Sequence, residues 1–323
     1  MSPFVKKVNE DCSCALSETV AASKSLAYFL GSGISAGDYP NWPGLAERME
    51  TIYGENGWPW VDHQRWSNRP KNNAPESLQE IFQMILEHNP SHYFGCLQQI
   101  FDEEPLNHRP YLLNIAKSIP QLILTLNFDS MIERVYTNMG LADKLETRAY
   151  PRQLYTAPER SETTVLYHLH GTLYDGIHMN PDHLVLHRAG YAKAYTGDYC
   201  PLRNCLMQVF LQHDFIFIGT GLNEPELQEF FRTLTDRVKD AEIQRKRIAL
   251  LATEVPLEVK PTEKKSQEEL YIEEQKSDLD TFKEQGIQCI RYFKLNEQHK
   301  GLQQVLSRVL STESERPKPA ISW

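Results

Sequence analysis

The chain has 323 residues, with 34 Lys+Arg against 43 Asp+Glu, for a formal charge of −9. Apolar residues make up 41%, and 15 Tyr, 13 Phe and 5 Trp supply enough core to exclude wholesale disorder. An acidic chain lacks the general basic face that phosphate backbones require, so direct nucleic-acid binding is not expected.

In chain order, the N-terminal stretch MSPFVKKVNEDCSC lacks the apolar core of a signal peptide. The apolar runs at 122–126 and 215–218 are too short to cross a bilayer, so the expectation is a cytoplasmic protein with no membrane association. A strand is predicted at 26–30, running into FLGSGISAG at 29–37. Gly31 and Gly33 there would let the backbone turn sharply and approach a phosphate, with Ser32 and Ser35 beside them. The third glycine, Gly37, comes one residue late for a dinucleotide fingerprint, and the GK[ST] ending of a P-loop is missing. A strand-to-helix turn without a ligand remains an open reading.

Residues 54–76, rich in Trp, Asn and Pro, read as a long loop, either a lid or irregular packing. Leu78, Ile81, Phe82, Ile85 and Leu86 form an apolar stripe at helical spacing. The next strand, 122–126, delivers Asn127 and Asp129 to its carboxyl end, where ligands of open α/β sheets sit; a helix carrying Met131, Ile132, Val135 and Tyr136 follows. The plainer alternative makes Asp129 a helix cap and Asn127 a turn residue. A strand at 165–169 places His168 and His170 on one face, with Gly171 ending it; a histidine there can serve as a base near neutral pH.

Residues 172–212 read as a helical insertion. The strand at 215–218 ends in Gly219-Thr220-Gly221, and Asn223 and Pro225 open a helix carrying Leu227, Phe230, Phe231, Leu234 and Val238. Strands at 248–251 and 287–292 flank a charged helical stretch, 254–285. Leu302, Val305, Leu306, Val309 and Leu310 form a last helix, and 312–323 a flexible tail. Alternating strands and helices predict a Rossmann-like α/β fold, a parallel sheet with helices on both faces. The six cysteines include no CxxC pair, which argues for reduced, buried thiols and against a metal site or zinc ribbon.

Four motifs in order — the glycine turn, Asn-x-Asp, Leu-His-Gly and the Gly-Thr-Gly turn — each end an apolar strand. Together they resemble the sirtuin superfamily, and more closely its zinc-free branch, the sirtuin-like NAD hydrolase domain of bacterial antiphage defence systems. The resemblance covers about residues 15–310, and the whole chain is expected to be one such domain. It implies that Gly31, Ser32, Gly33 and Ser35 hold the NAD+ diphosphate, and that Asn127 positions a water or ribose hydroxyl. It further implies that Asp129 shapes the nicotinamide pocket, that His170 and not His168 is the catalytic histidine, and that Gly219, Thr220 and Asn223 take the adenosine side. Two departures matter: the paired CxxC zinc module of deacylating sirtuins is absent, and Pro40-Asn41-Trp42-Pro43 stands where they carry Asp-Phe-Arg.

The implied function is an NAD+ glycohydrolase that yields nicotinamide and ADP-ribose, with NAD+ as substrate, no metal and no paired carboxylates. The implied setting is a defence effector that depletes NAD+, oligomeric, with residues 54–76 and 190–212 as candidate interfaces. A HerA-type ATPase or a short argonaute is the implied partner. The alternatives are a module that senses NAD or ADP-ribose without turnover, and a zinc-free deacylase or ADP-ribosyl transferase.

Overall fold

A computed structural model describes residues 2–55, 74–101, 109–151, 163–173, 183–196, 200–239, 245–254, 267–296 and 299–311. Helix α1 (Pro3–Ala22) leads into β1 (Leu26–Leu30), followed by α2 (Trp42–Glu55), α3 (Pro75–His88), α4 (Pro90–Phe101) and α5 (Pro110–Ser118). Then come β2 (Leu122–Thr125), α6 (Met131–Asn138), β3 (Leu145–Ala149) and β4 (Thr164–His168). The chain continues through α7 (Arg188–Tyr195), α8 (Pro201–Gln212), β5 (Asp214–Ile218), α9 (Pro225–Val238) and β6 (Arg247–Thr253). It ends with α10 (Gln267–Lys283), β7 (Gln288–Phe293) and α11 (Lys300–Ser311).

The strands form one parallel seven-stranded sheet in the order β3-β4-β2-β1-β5-β6-β7. Successive side chains of a strand point to opposite faces, and the core divides accordingly. Tyr28, Leu30, Ile123, Leu166, Ile216 and Ile218 join the layer of α1 to α6 and α11. Phe29, Leu122, Leu124, Tyr167, Phe215 and Phe217 join the layer of α7 to α10. Both faces are covered, which is why the central strands read as unbroken apolar runs.

The expected α/β architecture is found. Strand β3 was not anticipated: Leu-Glu-Thr-Arg-Ala is mostly polar, because an edge strand pairs only with β4 and buries little. Helix α1 is also an addition, with Ser2 accepting from the Val5 N–H at its start and Val5, Val8, Cys12, Leu16 and Val20 buried along one stripe. Most of the 54–76 loop lies outside the described residues, although its ends are helical. The 312–323 tail lies outside them altogether.

The described apolar residues of 190–212 pack into or against the core, contrary to expectation. Ala194, Leu202, Leu206, Val209 and Phe210 pack in the α7–α10 layer, so among the described residues of this stretch these apolar side chains belong to the core. Among the described residues, Ile272 is the large apolar side chain left exposed. No described helix is long and apolar enough to cross a membrane.

Candidate active site

Sheet order fixes where a ligand can sit. The chain leaves β1 toward β2 on one side and later returns to β5 on the other, so the connections diverge at the carboxyl end of β1. A cavity of about 270 Å³ lies there. Its walls are the loops after β1 (Gly31, Ser32, Ser35 and the Pro40–Pro43 turn), after β2 (Leu126–Asp129) and after β5 (Thr220–Glu224), with Pro75 and Leu78 of α3 and Phe101 of α4.

Of the expected residues, Gly31, Ser32, Ser35, Asn127, Asp129, Thr220 and Asn223 line this cavity; Gly33, Gly219 and His170 do not. The two glycines serve contact between loops. The Gly33 N–H donates to Gly219 O at 2.7 Å, and a Cβ on Gly33 would meet Gly219 Cα and O at 2.8 Å. Gly219 itself sits at φ +67°, and a Cβ there would meet Ile34 N at 2.6 Å. The backbones of the two turns therefore touch, and the expected approach of a phosphate to Gly33 is replaced by this packing. Next along, Leu222 holds φ 50° with its N–H on the Thr220 hydroxyl; a non-glycine residue in that region carries strain.

Asn127 is held by a hydrogen-bond chain that fixes its amide. Met131 N–H donates to Asp129 Oδ1 at 3.0 Å, so Asp129 does cap α6. The Ser35 hydroxyl donates to Asp129 Oδ2 at 2.9 Å. That spends its one hydrogen, so it accepts from Asn127 Nδ2 at 3.1 Å. The amide oxygen, Oδ1, is left buried with no partner. A buried acceptor without a donor is uncommon, and this one belongs to a residue of the cavity wall. Burial raises the Asp129 carboxyl above its ordinary value, opposed by the Met131 and Ser35 hydrogen bonds.

The two histidines do not share a face. Strand β4 ends at His168, and the turn beyond it sends His170 elsewhere. His168 bonds the Asn127 carbonyl at 2.8 Å and Glu133 Oε1 at 3.0 Å. Burial alone would lower its pKa; the charge and hydrogen bond of Glu133, the Asn127 carbonyl and Asp129 raise it instead. His168 therefore braces the backbone of Asn127. His170 is fully buried, with Nε2 bonded to Tyr195 OH at 2.9 Å and its ring edge-on to Tyr191. Burial lowers its pKa to about 3, not near neutrality as expected, and leaves it uncharged.

Between His170 and the cavity stands Glu224, which the sequence reading passed over. Its Oε2 accepts from Tyr191 OH at 3.2 Å and lies 3.7 Å from His170 Nε2. Its side chain is 15% exposed, and the residue lines the cavity. Burial pushes its carboxyl up to about 8; the Tyr191 hydrogen bond opposes this and Glu226 adds to it. His170 and Glu224 therefore face each other as neutral groups at neutral pH. Two carboxyls line the cavity, Asp129 as expected and Glu224 in addition, where no pair of carboxylates was expected. The signal was available: Glu224 directly precedes Pro225 at the start of α9.

No group of three or more His, Cys, Asp or Glu that could hold a metal ion occurs among the described residues. Burial raises the thiols of Cys12 and Cys289 to about 12 and that of Cys96 to about 11, which keeps them protonated.

Among solved structures, a crystal structure of a Sir2 homolog–NAD complex is similar over 93% of this chain and 94% of its own, at 14% identity and a TM-score of 0.45. Residues 121–288, from β2 with Asn127 through the Leu-His-Gly and Gly-Thr-Gly turns to the start of β7, match the family model for the SIR2-like domain. That match spans more than half of the 323 residues, and the chain belongs to the SIR2-like domain family.

Proposed function

We propose that the cavity binds NAD+ and hydrolyses it to nicotinamide and ADP-ribose. Membership of the SIR2-like family supports NAD+ as the ligand. The observation that carries the hydrolytic reading is Asn127, a residue of the cavity wall whose amide is fixed through Ser35 and whose Oδ1 has no hydrogen-bond partner. Nicotinamide leaves a cationic pyridinium readily, through an oxocarbenium-like state, so the protein has mainly to orient the ribose and hold one water. Asn127 can accept a hydrogen bond from that water, while Ser35 and Asp129 keep the amide from turning. Gly31, Ser32 and Ser35 serve the diphosphate, and Thr220 and Asn223 the adenosine side. Gly33 and Gly219 contribute by keeping the two turns in contact.

The proposal extends to an effector that depletes NAD+ in antiphage defence, active as a homo-oligomer and with a HerA-type ATPase or a short argonaute as partner. It rests there on the four-motif resemblance alone. The test is to incubate the purified chain with NAD+, with and without an acylated lysine peptide, and to separate the products. Nicotinamide and ADP-ribose without the peptide support the hydrolase. Nicotinamide only with the peptide would move the chain to the deacylases, and tight NAD+ binding without turnover to a sensing module.

A further inference from the structure

His168 is the last residue of β4 and is fully buried. Its carbonyl accepts from the Tyr150 N–H at 3.0 Å, so the backbone that carries the ring is fixed. The ring lies between two acceptors. Nδ1 meets the Asn127 carbonyl at 2.8 Å, and Nε2 meets Glu133 Oε1 at 3.0 Å. Neither a carbonyl nor a carboxylate has a hydrogen to give, so both ring nitrogens must donate. A neutral imidazole has one N–H, and only the imidazolium has two. The geometry therefore calls for a charged ring in a buried position, which is costly unless the charge is paired. Glu133 supplies the pair from the first turn of α6, where the helix dipole favours a negative charge. Its other oxygen, Oε2, is buried without a partner, so His168 is the donor that satisfies this carboxylate.

From this ring the contacts lead to the cavity. Asn127 is held at three points: its N–H donates to the Thr125 hydroxyl at 3.1 Å, its amide nitrogen donates to Ser35, and its carbonyl accepts from His168. The atom left over is Oδ1, the acceptor assigned to the attacking water. Resting on the reading of the cavity as a site of NAD+ hydrolysis, we propose that His168 works as an imidazolium, a positioning residue that holds Asn127 in its catalytic place, and that turnover falls when the ring gives up its proton. A neutral ring has one hydrogen for two acceptors. With that hydrogen toward Glu133, a bare lone pair faces the Asn127 carbonyl at 2.8 Å; with it toward Asn127, the lone pair faces the Glu133 carboxylate at 3.0 Å. Either contact is repulsive in a buried setting and loosens the hold on Asn127.

The groups that face the ring are Glu133 of α6 and, from the loop between β2 and α6, the Asn127 carbonyl and Asp129. On the neighbouring strands, Thr125 of β2 and Ala149 of β3 stand level with it and carry no charge. Burial works against the imidazolium, while Glu133, the Asn127 carbonyl and Asp129 work for it and prevail, so the ring keeps its proton above its ordinary 6.5. The native protein then holds a proton that the unfolded chain releases. Stability from this group is present below 6.5 and lost as pH rises through the raised native value, and turnover falls over the same range.

The experiment compares wild type, Glu133→Gln, His168→Asn and, as a control on the exposed face of α9, Glu229→Gln. Wild-type kcat for NAD+ should fall on an alkaline limb, with KM changed less. Glu133→Gln keeps the shape of the side chain and removes its charge, so the limb should move ~1–3 pH units lower, with turnover recovered in mildly acidic solution. His168→Asn keeps an N–H for the Asn127 carbonyl but cannot titrate, so it should retain reduced turnover without that limb. Glu229→Gln should match wild type. Independently of turnover, nitrogen NMR of the imidazole rings at about pH 7.5, with the His168 signal assigned by its loss in His168→Asn, should show both of its nitrogens protonated. A bare ring nitrogen at that pH, or an active enzyme whose alkaline limb is missing or does not move in Glu133→Gln, overturns the role of His168 and leaves the hydrolase reading standing. A wild type that releases no nicotinamide at any pH overturns the hydrolase reading, and this positioning role with it.

Discussion

In the proposed reaction Asn127 carries a large share of the chemistry, and its neighbours matter as much as its own amide. Asn127→Ala removes the fixed acceptor, and kcat should fall ~10²–10³-fold, as for loss of one positioned polar group, with NAD+ affinity changed less; steady-state nicotinamide release checks this. Ser35→Ala breaks the link between Asn127 and Asp129. The amide can then turn over, and a smaller loss in kcat, unaccompanied by unfolding, is expected in the same assay. His168 is not the mild control that its place outside Leu-His-Gly suggests. His168→Ala removes a buried hydrogen-bonded ring and leaves Glu133 without its partner. The expected result is a lower thermal midpoint together with lost activity. What was legible at this scale was residue type at a strand end: Asn127, Asp129, Thr220 and Asn223 all reach the cavity. Not legible was that Tyr191 and Tyr195, some twenty residues further on, seal His170 away and leave Glu224 in front of it. A local motif does not reveal which distant ring covers it.

The turns after β1 and β5 behave as one element. Because a Cβ at Gly33 would sit 2.8 Å from backbone atoms of Gly219, Gly33→Ala forces the two loops apart. Overpacking of this kind costs ~1–3 kcal/mol, so the variant should show a clear drop in denaturation midpoint before any question of NAD+ affinity arises. On the sheet face below, Phe210 of α8 meets Phe215 and Phe217 of β5 and Phe231 of α9, with ring centroids 4.1, 6.0 and 5.0 Å away. Phe210→Ala should destabilise the fold by ~3–5 kcal/mol, measured by chemical denaturation. The buried strands announced themselves as apolar runs because both faces of the sheet are covered. The Leu145–Ala149 edge strand did not, since only one neighbour and one face constrain it. The α7–α8 region had a helical pattern, but its apolar residues gave no sign of whether they meet the sheet or a second chain; the sheet takes them.

Across the described molecule the first helix is tied to the last strand and the last helix. Asn9 of α1 bonds the backbone of Phe293 in β7 through both amide atoms, at 2.7 Å and 3.3 Å, and α1 packs against α11. Titration couples to this fold from two sides. His170 and His213 are buried and held at about 3 and about 4, below their ordinary 6.5. The unfolded chain therefore binds protons that the folded chain refuses, and stability present above pH 6.5 is lost as pH falls through those values. Glu224, and His168 in the same sense, act from the alkaline side, so the thermal midpoint should peak in mildly acidic solution and fall on either side. A pH series of melting curves checks this, and His213→Gln should flatten the acid limb.

The most direct measurement is nicotinamide released from NAD+ by wild type and Asn127→Ala, side by side, in protein whose melting curves agree. Steady release by wild type with a loss of ~10²-fold or more in the variant is the expected result. Equal release by both would contradict the assignment of the chemistry to the cavity at the carboxyl ends of β1, β2 and β5.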